Sequence, residues 1–201
     1  MQDAPQGLLA PGACPFVGVV ETTIDALRLV IAARSGLIPR IVRRLSDAER
    51  RSMIMSGAVF VYSAEESHIK RWTDGLTWSP SRIVGNFLVY RELMPSGCNF
   101  ERDVSGTQTS LPATTSWSLR RGHCTEKLNG LSKKTITVVA DGTAHHVVAY
   151  YSEEDVLSGR LQRPVRRSDL AQVAVPLSMV YATNFRYPPH IELGMNGLYY
   201  V

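Results

Sequence analysis

The sequence predicts an α+β domain built mainly on an antiparallel β-sheet with short flanking helices, and three observations predict it. Residues 135–139 and 145–151 are strand-type runs on either side of Asp141-Gly142, the strongest short-range hairpin signal in the chain. Residues 58–62 and 85–90 are two further runs of β-branched and aromatic residues. Two segments, Thr22 with Asp25 and Ser46 with Glu49, carry the spacing of a helix capping box.

The elements follow in order. After Thr22, the apolar positions Ala26, Leu27, Val30, Ile31 and Ala33 form a helical stripe that Gly36 and Pro39 end, so a helix is expected over 22–36. A second helix is expected over 46–55, with Gly57 at its stop and a wet basic side at Arg50 and Arg51. The strands at 58–62 and 85–90 enclose a polar, aromatic segment whose Asp74-Gly75 and Ser79-Pro80 are turn chemistry. Residues 94–130 show no sustained period and read as a variable, partly mobile inserted loop. After the hairpin, residues 152–155 cap a short helix closed by Gly159, and the chain from 186 to 201 ends on an apolar run suited to an edge strand.

With 201 residues, 44% of them hydrophobic and 20% charged, the chain has enough apolar surface for a core without covalent staples. Cys14, Cys98 and Cys124 are odd in number and lack C-x-x-C spacing, which argues against a disulfide framework and a thiolate zinc site. The beginning of the chain has no basic n-region, and its apolar patch at 29–33 is too short to span a bilayer, so neither secretion nor a membrane partner is expected. The net charge is +4, but it is clustered: residues 28–51 carry +5 and residues 156–191 carry +4. Arginine supplies 18 of the 22 basic residues, a bias that suits bidentate recognition of phosphate.

Residues 70–82 concentrate chemistry. Lys70, Arg71 and Arg82 are cations, Thr73, Thr77, Ser79 and Ser81 are hydroxyls, and Trp72 and Trp78 can anchor the segment on the body. Arg71 and Arg82 suit phosphate contacts or a narrow minor groove, and Thr73, Ser79 and Ser81 can donate to phosphate oxygens. Lys70 and Arg71 also precede Thr73 in the spacing of a basic-directed kinase site.

These residues carry a resemblance. Residues 17–29, 37–45, 57–61, 70–82 and 85–92 resemble the first conserved region of the WOPR-domain family, fungal transcription regulators of morphological switching and pathogenicity. Residues 131–136, 145–146, 150–151 and 156–161 resemble the second region. The resemblance implies an amino-terminal arm over 1–15, a first region over 16–93, an insert over 94–130, a second region over 131–163, and a carboxy-terminal extension over 164–201 packed on the same domain. It implies that the two regions interlock into one unit that binds double-stranded DNA in the nucleus. It also makes Arg71, Trp72, Thr73, Asp74 and Gly75 a DNA-contacting loop with a phosphorylation site at Thr73, and hence a kinase as a further partner. Leu76 and Thr77 depart from the basic or small polar residues common there. The chain lacks the Gln- or Asn-rich tail of many relatives, so activation functions are expected outside these 201 residues.

On this reading Arg71 enters the minor groove of an A/T-rich site, Asp74 orients the loop, and Trp78, Ser79 and Ser81 support it. Arg40, Arg43, Arg44, Arg82, Lys133 and Lys134 form a phosphate clamp, and about five neutralised phosphates give a salt slope of roughly −4 to −5. Catalysis finds no support. His145 and His146 are adjacent on a strand and point to opposite faces, His123-Cys124 lacks partners at ligand spacing, and no phosphate-binding or nucleophile-elbow motif is present. No cofactor, metal or small-molecule substrate is expected. The competing class is a protein-interaction module whose Trp and Arg side chains form a hot-spot surface.

Overall fold

The computed structural model describes residues 15–94 and 125–189, with two further short strands, Glu192–Leu193 and Tyr199–Tyr200. All of the arm expected over 1–15 except Pro15, most of the insert expected over 94–130, and with them Cys14, Cys98, His123 and Cys124, lie outside the described residues. The elements are β1 (Phe16–Val17), α1 (Thr23–Arg34), α2 (Asp47–Met53), β2 (Ala58–Ser63), α3 (Ala64–Ser67), β3 (Arg82–Val84) and β4 (Phe87–Arg91). They continue with β5 (Ser132–Ala140), β6 (Thr143–Tyr151), α4 (Glu153–Leu157), a 3-10 turn (Pro164–Arg166), α5 (Ser168–Ala171) and α6 (Leu177–Ala182). The pair Glu192–Leu193 and Tyr199–Tyr200 forms a separate small ladder, β7 and β8.

The main sheet has the order β1-β2-β6-β5-β4-β3, with every pairing antiparallel. The β5–β6 hairpin thus lies between β2 and β4, and the two halves of the sequence interlock through backbone hydrogen bonds. Asp141 (φ 47°) and Gly142 (φ 77°) turn this hairpin with two successive left-handed residues, the conformation that matches the twist of the paired strands. Both expected capping boxes form. Thr22 Oγ1 accepts from Asp25 N while Asp25 accepts from Thr22 N, and Ser46 and Glu49 make the same reciprocal pair.

Side-chain alternation divides the sheet into two dry faces. Val59 and Val61 on β2, Val147 and Ala149 on β6, Ile136, Val138 and Ala140 on β5, and Phe87 on β4 pack under α1. Leu170 of α5 and Met179 and Val180 of α6 close over the same cluster, which is why α1 is buried on more than one side. The opposite face carries Ala58, Phe60, Tyr62, Val148 and Tyr150, covered by Ile41, Leu45, Met53 and Ile69, with Trp72 and Trp78 at the margin. Every residue of β2 is buried, so its apolar run is continuous and not alternating.

Three details depart from the expectation. Strand β3 pairs with β4 through a turn at Gly85 and Asn86, so Gly85 lies before β4 and not within it. The second helix ends at Met53, two residues short of the expected limit. The carboxy-terminal segment holds the short helices α5 and α6, which nothing in its periodicity announced.

Candidate nucleic-acid interface

Residues 70–81 run across the sheet face opposite α1, and their fold is set by aromatic anchoring and one buried carboxylate. Trp72 stacks on Tyr62 with ring centroids 5.3 Å apart and an interplanar angle of 20°, and leans on Phe60 at 5.2 Å. Its indole Nε1 donates to Tyr150 Oη at 2.7 Å, and Tyr150 Oη donates in turn to Asp74 Oδ2 at 2.8 Å. Asp74 also accepts from Trp78 Nε1 at 2.9 Å, from Lys133 Nζ at 2.9 Å and from the Leu76 N–H at 3.1 Å. That last bond closes an Asx-turn in which Gly75 has φ +80°, with no atom within 4 Å of the position a Cβ would take. The far side of the loop is tied to β4: Ser79 N donates to Arg91 O, Arg91 N to Ser79 Oγ, and Leu93 N to Thr77 O.

The network joins both halves of the sequence, because Tyr150 and Lys133 come from the β5–β6 hairpin. Burial alone would raise the Asp74 carboxyl. The donors Trp78, Lys133 and Tyr150, with the Lys133 charge, outweigh that effect and hold it below the ordinary carboxylate range. Burial lowers the Lys133 ammonium, partly offset by Asp74, and pushes the Tyr150 phenol well above its ordinary value. Lys133 Nζ further lies 4.3 Å from the centroid of the Trp78 ring.

The loop presents outward what this framework does not use. Arg71, Thr73, Gly75 and Ser81 are exposed, while Trp72, Trp78 and Ser79 are half-buried. Among the described residues, Lys70, Arg71, Arg82 and Arg44 are exposed and form no ion pair.

Several expected contact residues sit elsewhere. Lys133 is 9% exposed and faces inward, because the Asp74 carboxylate and the Trp78 and Tyr90 rings are where its ammonium finds compensation. Lys134, one residue on, faces the other side of the sheet. Its Nζ donates to the carbonyls of Val20 (2.8 Å) and Glu21 (2.9 Å) over the Phe87 ring. Burial, countered in part by Asp25 and Glu21, lowers its ammonium to about 8. Neither lysine has a free head for the expected clamp. Asp74 is likewise buried and braces the loop from within. Arg40 forks onto Glu66 and Arg43 onto Glu49, both in exposed surface pairs. Arg82 stands at the sheet edge in register with Val89, so it leaves from the α1 side and not from the face that holds Trp78. The second basic cluster is largely engaged: Arg160 pairs with Glu154 and Asp155, Arg163 with Asp25, and Arg167 with Asp169. Tyr150 is the site residue that sequence reasoning missed: strand alternation puts it on the same face as Val148, and the pairing of β6 with β2 brings that face together with Phe60 and Tyr62.

His145 and His146 do point to opposite faces. His145 Nδ1 meets Thr143 O at 3.0 Å, and His146 stacks on Tyr62 at 4.8 Å. Among the described residues no cluster of His, Cys, Asp and Glu could hold a metal, and no helix is long and apolar enough to cross a membrane.

The sequence profile of the Gti1/Pac2 family matches residues 15–125, more than half of the chain. The chain belongs to the Gti1/Pac2 family. Within it, the global transcription regulator sge1 of Gibberella fujikuroi is 36% identical over 219 aligned positions, covering 92% of this chain and 65% of that protein. The global transcription regulator FGP1 of Gibberella zeae is 36% identical over 210 positions, covering 86% of this chain and 61% of its own length. The chain thus spans just under two thirds of these Gti1/Pac2 relatives. Among solved structures, the WOPR domain of Wor1 from Candida albicans, in complex with 17 bp of double-stranded DNA, superposes with a TM-score of 0.62 at 33% identity. That match covers 85% of this chain and 98% of the other. The resemblance to the WOPR-domain family and the α+β class expected from the sequence are both borne out.

Proposed function

We propose that this member of the Gti1/Pac2 family is a transcription regulator that binds double-stranded DNA through the 70–82 loop, with no enzymatic role. One observation carries the reading: a buried carboxylate, two indoles and a tyrosine from the other half of the sequence fix the loop while Arg71, Thr73 and Gly75 remain at its surface. A rigid loop tipped by a lone guanidinium matches a narrow minor groove, where A/T-rich sequence concentrates negative potential. The absence of atoms around Gly75 lets backbone approach the duplex closely. Arg44 and Lys70 supply phosphate contacts, with Ser81 able to donate to phosphate oxygens, whereas Arg82 leaves from the α1 side and is not assigned to the clamp. Arg40 and Arg43 can join them, because exposed ion pairs are worth only about 0–1 kcal/mol and exchange readily for phosphate. Ser79 and Trp78 act on the loop's shape.

Nuclear location follows from this role. Thr73 is an exposed hydroxyl behind Lys70 and Arg71, and a kinase acting there would add about −1.5 to −2 charges to a DNA-facing loop and lower affinity. The insert over 94–130 and the extension over 164–201 are assigned as accessory to this unit. In a gel-shift titration the Arg71→Ala protein should lose about 1–3 kcal/mol on its preferred duplex and much of its sequence preference. Unchanged affinity and preference would remove Arg71 from this role. The relatives named as global transcription regulators and the Wor1 neighbour solved with DNA support the same reading.

A further inference from the structure

Residues 43–46 read Arg-Arg-Leu-Ser, which places two cations three and two positions before a hydroxyl. Ser46 is exposed, on an irregular stretch that leads into α2. Its Oγ accepts from Glu49 N at 3.3 Å, a long bond, and its own N–H donates to Glu49 Oε2 at 2.7 Å. Arg43 forks onto that same carboxylate at 2.7 and 2.9 Å. Arg44 is exposed beside it.

We propose that Ser46 is a phosphoacceptor for a basic-directed kinase, and that its phosphate withdraws Arg43 and Arg44 from the duplex. The second half rests on the DNA-binding reading above. In the transfer, Ser46 Oγ attacks the γ-phosphorus of a nucleoside triphosphate and the bond to the β,γ-bridging oxygen breaks. The hydroxyl proton passes to the kinase's base, and the nucleoside diphosphate leaves. The new group brings about −1.5 to −2 charges next to Glu49. Hydrogen bonds from Arg43 and Ser46 hold that carboxyl at about 2, so it stays anionic and the two anions repel. Glu49 then yields Arg43 to the phosphate, which accepts a guanidinium fork at least as well. The +5 of residues 28–51 falls to about +3, in the segment assigned to phosphate contacts.

A kinase cleft needs this stretch extended, and Leu45 is 8% exposed and must lift out. Helix α2 buries only Met53, so opening this corner breaks few contacts. Asp47 and Glu49 follow Ser46 in a spacing that an acid-directed kinase could also read, but Arg43 already holds Glu49.

The test uses the full chain carrying Thr73→Ala, which removes the other hydroxyl with paired cations three and two positions before it, with Ser46→Ala added as control. The protein is incubated with ATP and either a basic-directed or an acid-directed kinase, and the product is mapped by mass spectrometry. The expected result is one phosphate on Ser46 from the basic-directed enzyme. Its phosphorus NMR titration should show a second ionisation below about 6 in the folded protein, returning to about 6 in urea. Duplex affinity should fall about tenfold at physiological salt, with the salt slope smaller by about two. No phosphate on Ser46 from the basic-directed kinase, including modification by the acid-directed one alone, overturns the proposal. So does a titration identical in folded and unfolded protein, or an unchanged salt slope. If the parent chain with Thr73 intact binds no duplex, the DNA reading fails, and the mass and titration readouts still decide Ser46.

Discussion

Replacing Asp74 by Asn keeps the side chain's shape and removes the charge on which the loop framework converges. The Asp74 and Lys133 side chains are 4% and 11% exposed, so the substitution leaves an ammonium buried without its counter-charge. Breaking a buried pair from one side costs about 3–5 kcal/mol, a large part of the roughly 5–15 kcal/mol that holds a domain folded. At about 2–4 °C per kcal/mol for a chain of this size, the melting temperature should drop by roughly 6–20 °C. Lys133→Met combined with Asp74→Asn removes both charges, and Met offers Trp78 and Tyr90 an apolar partner. The double variant should therefore recover at least about 2 kcal/mol relative to the sum of the singles. Urea unfolding of all four proteins gives the cycle. An Asp74→Asn cost under about 1 kcal/mol, or strictly additive singles, would refute the idea that this pair braces the loop. Because the Asp74 carboxyl is held below its ordinary range, its contribution is present above about pH 4 and is lost as pH falls further, and Asp74→Asn should flatten that acid limb.

Three further outcomes are expected. In gel shifts across a salt series, Arg44→Ala should reduce the slope by about 0.9, whereas Lys134→Met should leave it unchanged because its head is bound to the Val20 and Glu21 carbonyls. With both lysines turned inward, the parent slope should be roughly −2 to −3 and not the −4 to −5 expected when both belonged to the clamp. Burial lowers the imidazoles of His145 and His146, so the unfolded chain takes up protons near pH 6.5 that the folded one resists. Urea midpoints should hold steady above that pH and fall below it, with a shallower fall in His145→Gln. Met94 N donates to Thr125 O at 3.1 Å and Leu93 bridges Glu126, so the ends of the insert meet. Replacing residues 95–124 by a short Gly-Ser linker should leave the melting temperature within a few degrees, as thermal unfolding would show.

The local signals in the sequence were legible because they depend on near neighbours. Thr22 with Asp25 and Ser46 with Glu49 formed their capping boxes, and Asp141-Gly142 made its hairpin. Strand β3 escaped notice because it is three residues long and wholly exposed, so no alternation marks it, and only pairing with β4 defines it. The helices α5 and α6 are too short for a 3.6-residue period to register, and packing of α5 against α1 and of α6 against β5 stabilises them. At the site, the anchoring role of Trp72 and Trp78 and the orienting role of Asp74 could be read from residue type. The fate of Lys133 could not, because its partner is 59 positions away and its direction depends on the register of β5 against β4 and β6. Lys134 shows the same limit, with its acceptor carbonyls more than a hundred residues upstream. A lysine reads as a surface charge until the fold supplies something for it to hold.

The most direct measurement of the central claim is selection from a random duplex library at physiological salt, run in parallel with the parent chain and Arg71→Ala. The account predicts an enriched A/T-rich motif with the parent chain that fades with the variant. Recovery of no motif by the parent chain, or of the same motif with equal enrichment by both proteins, would contradict it.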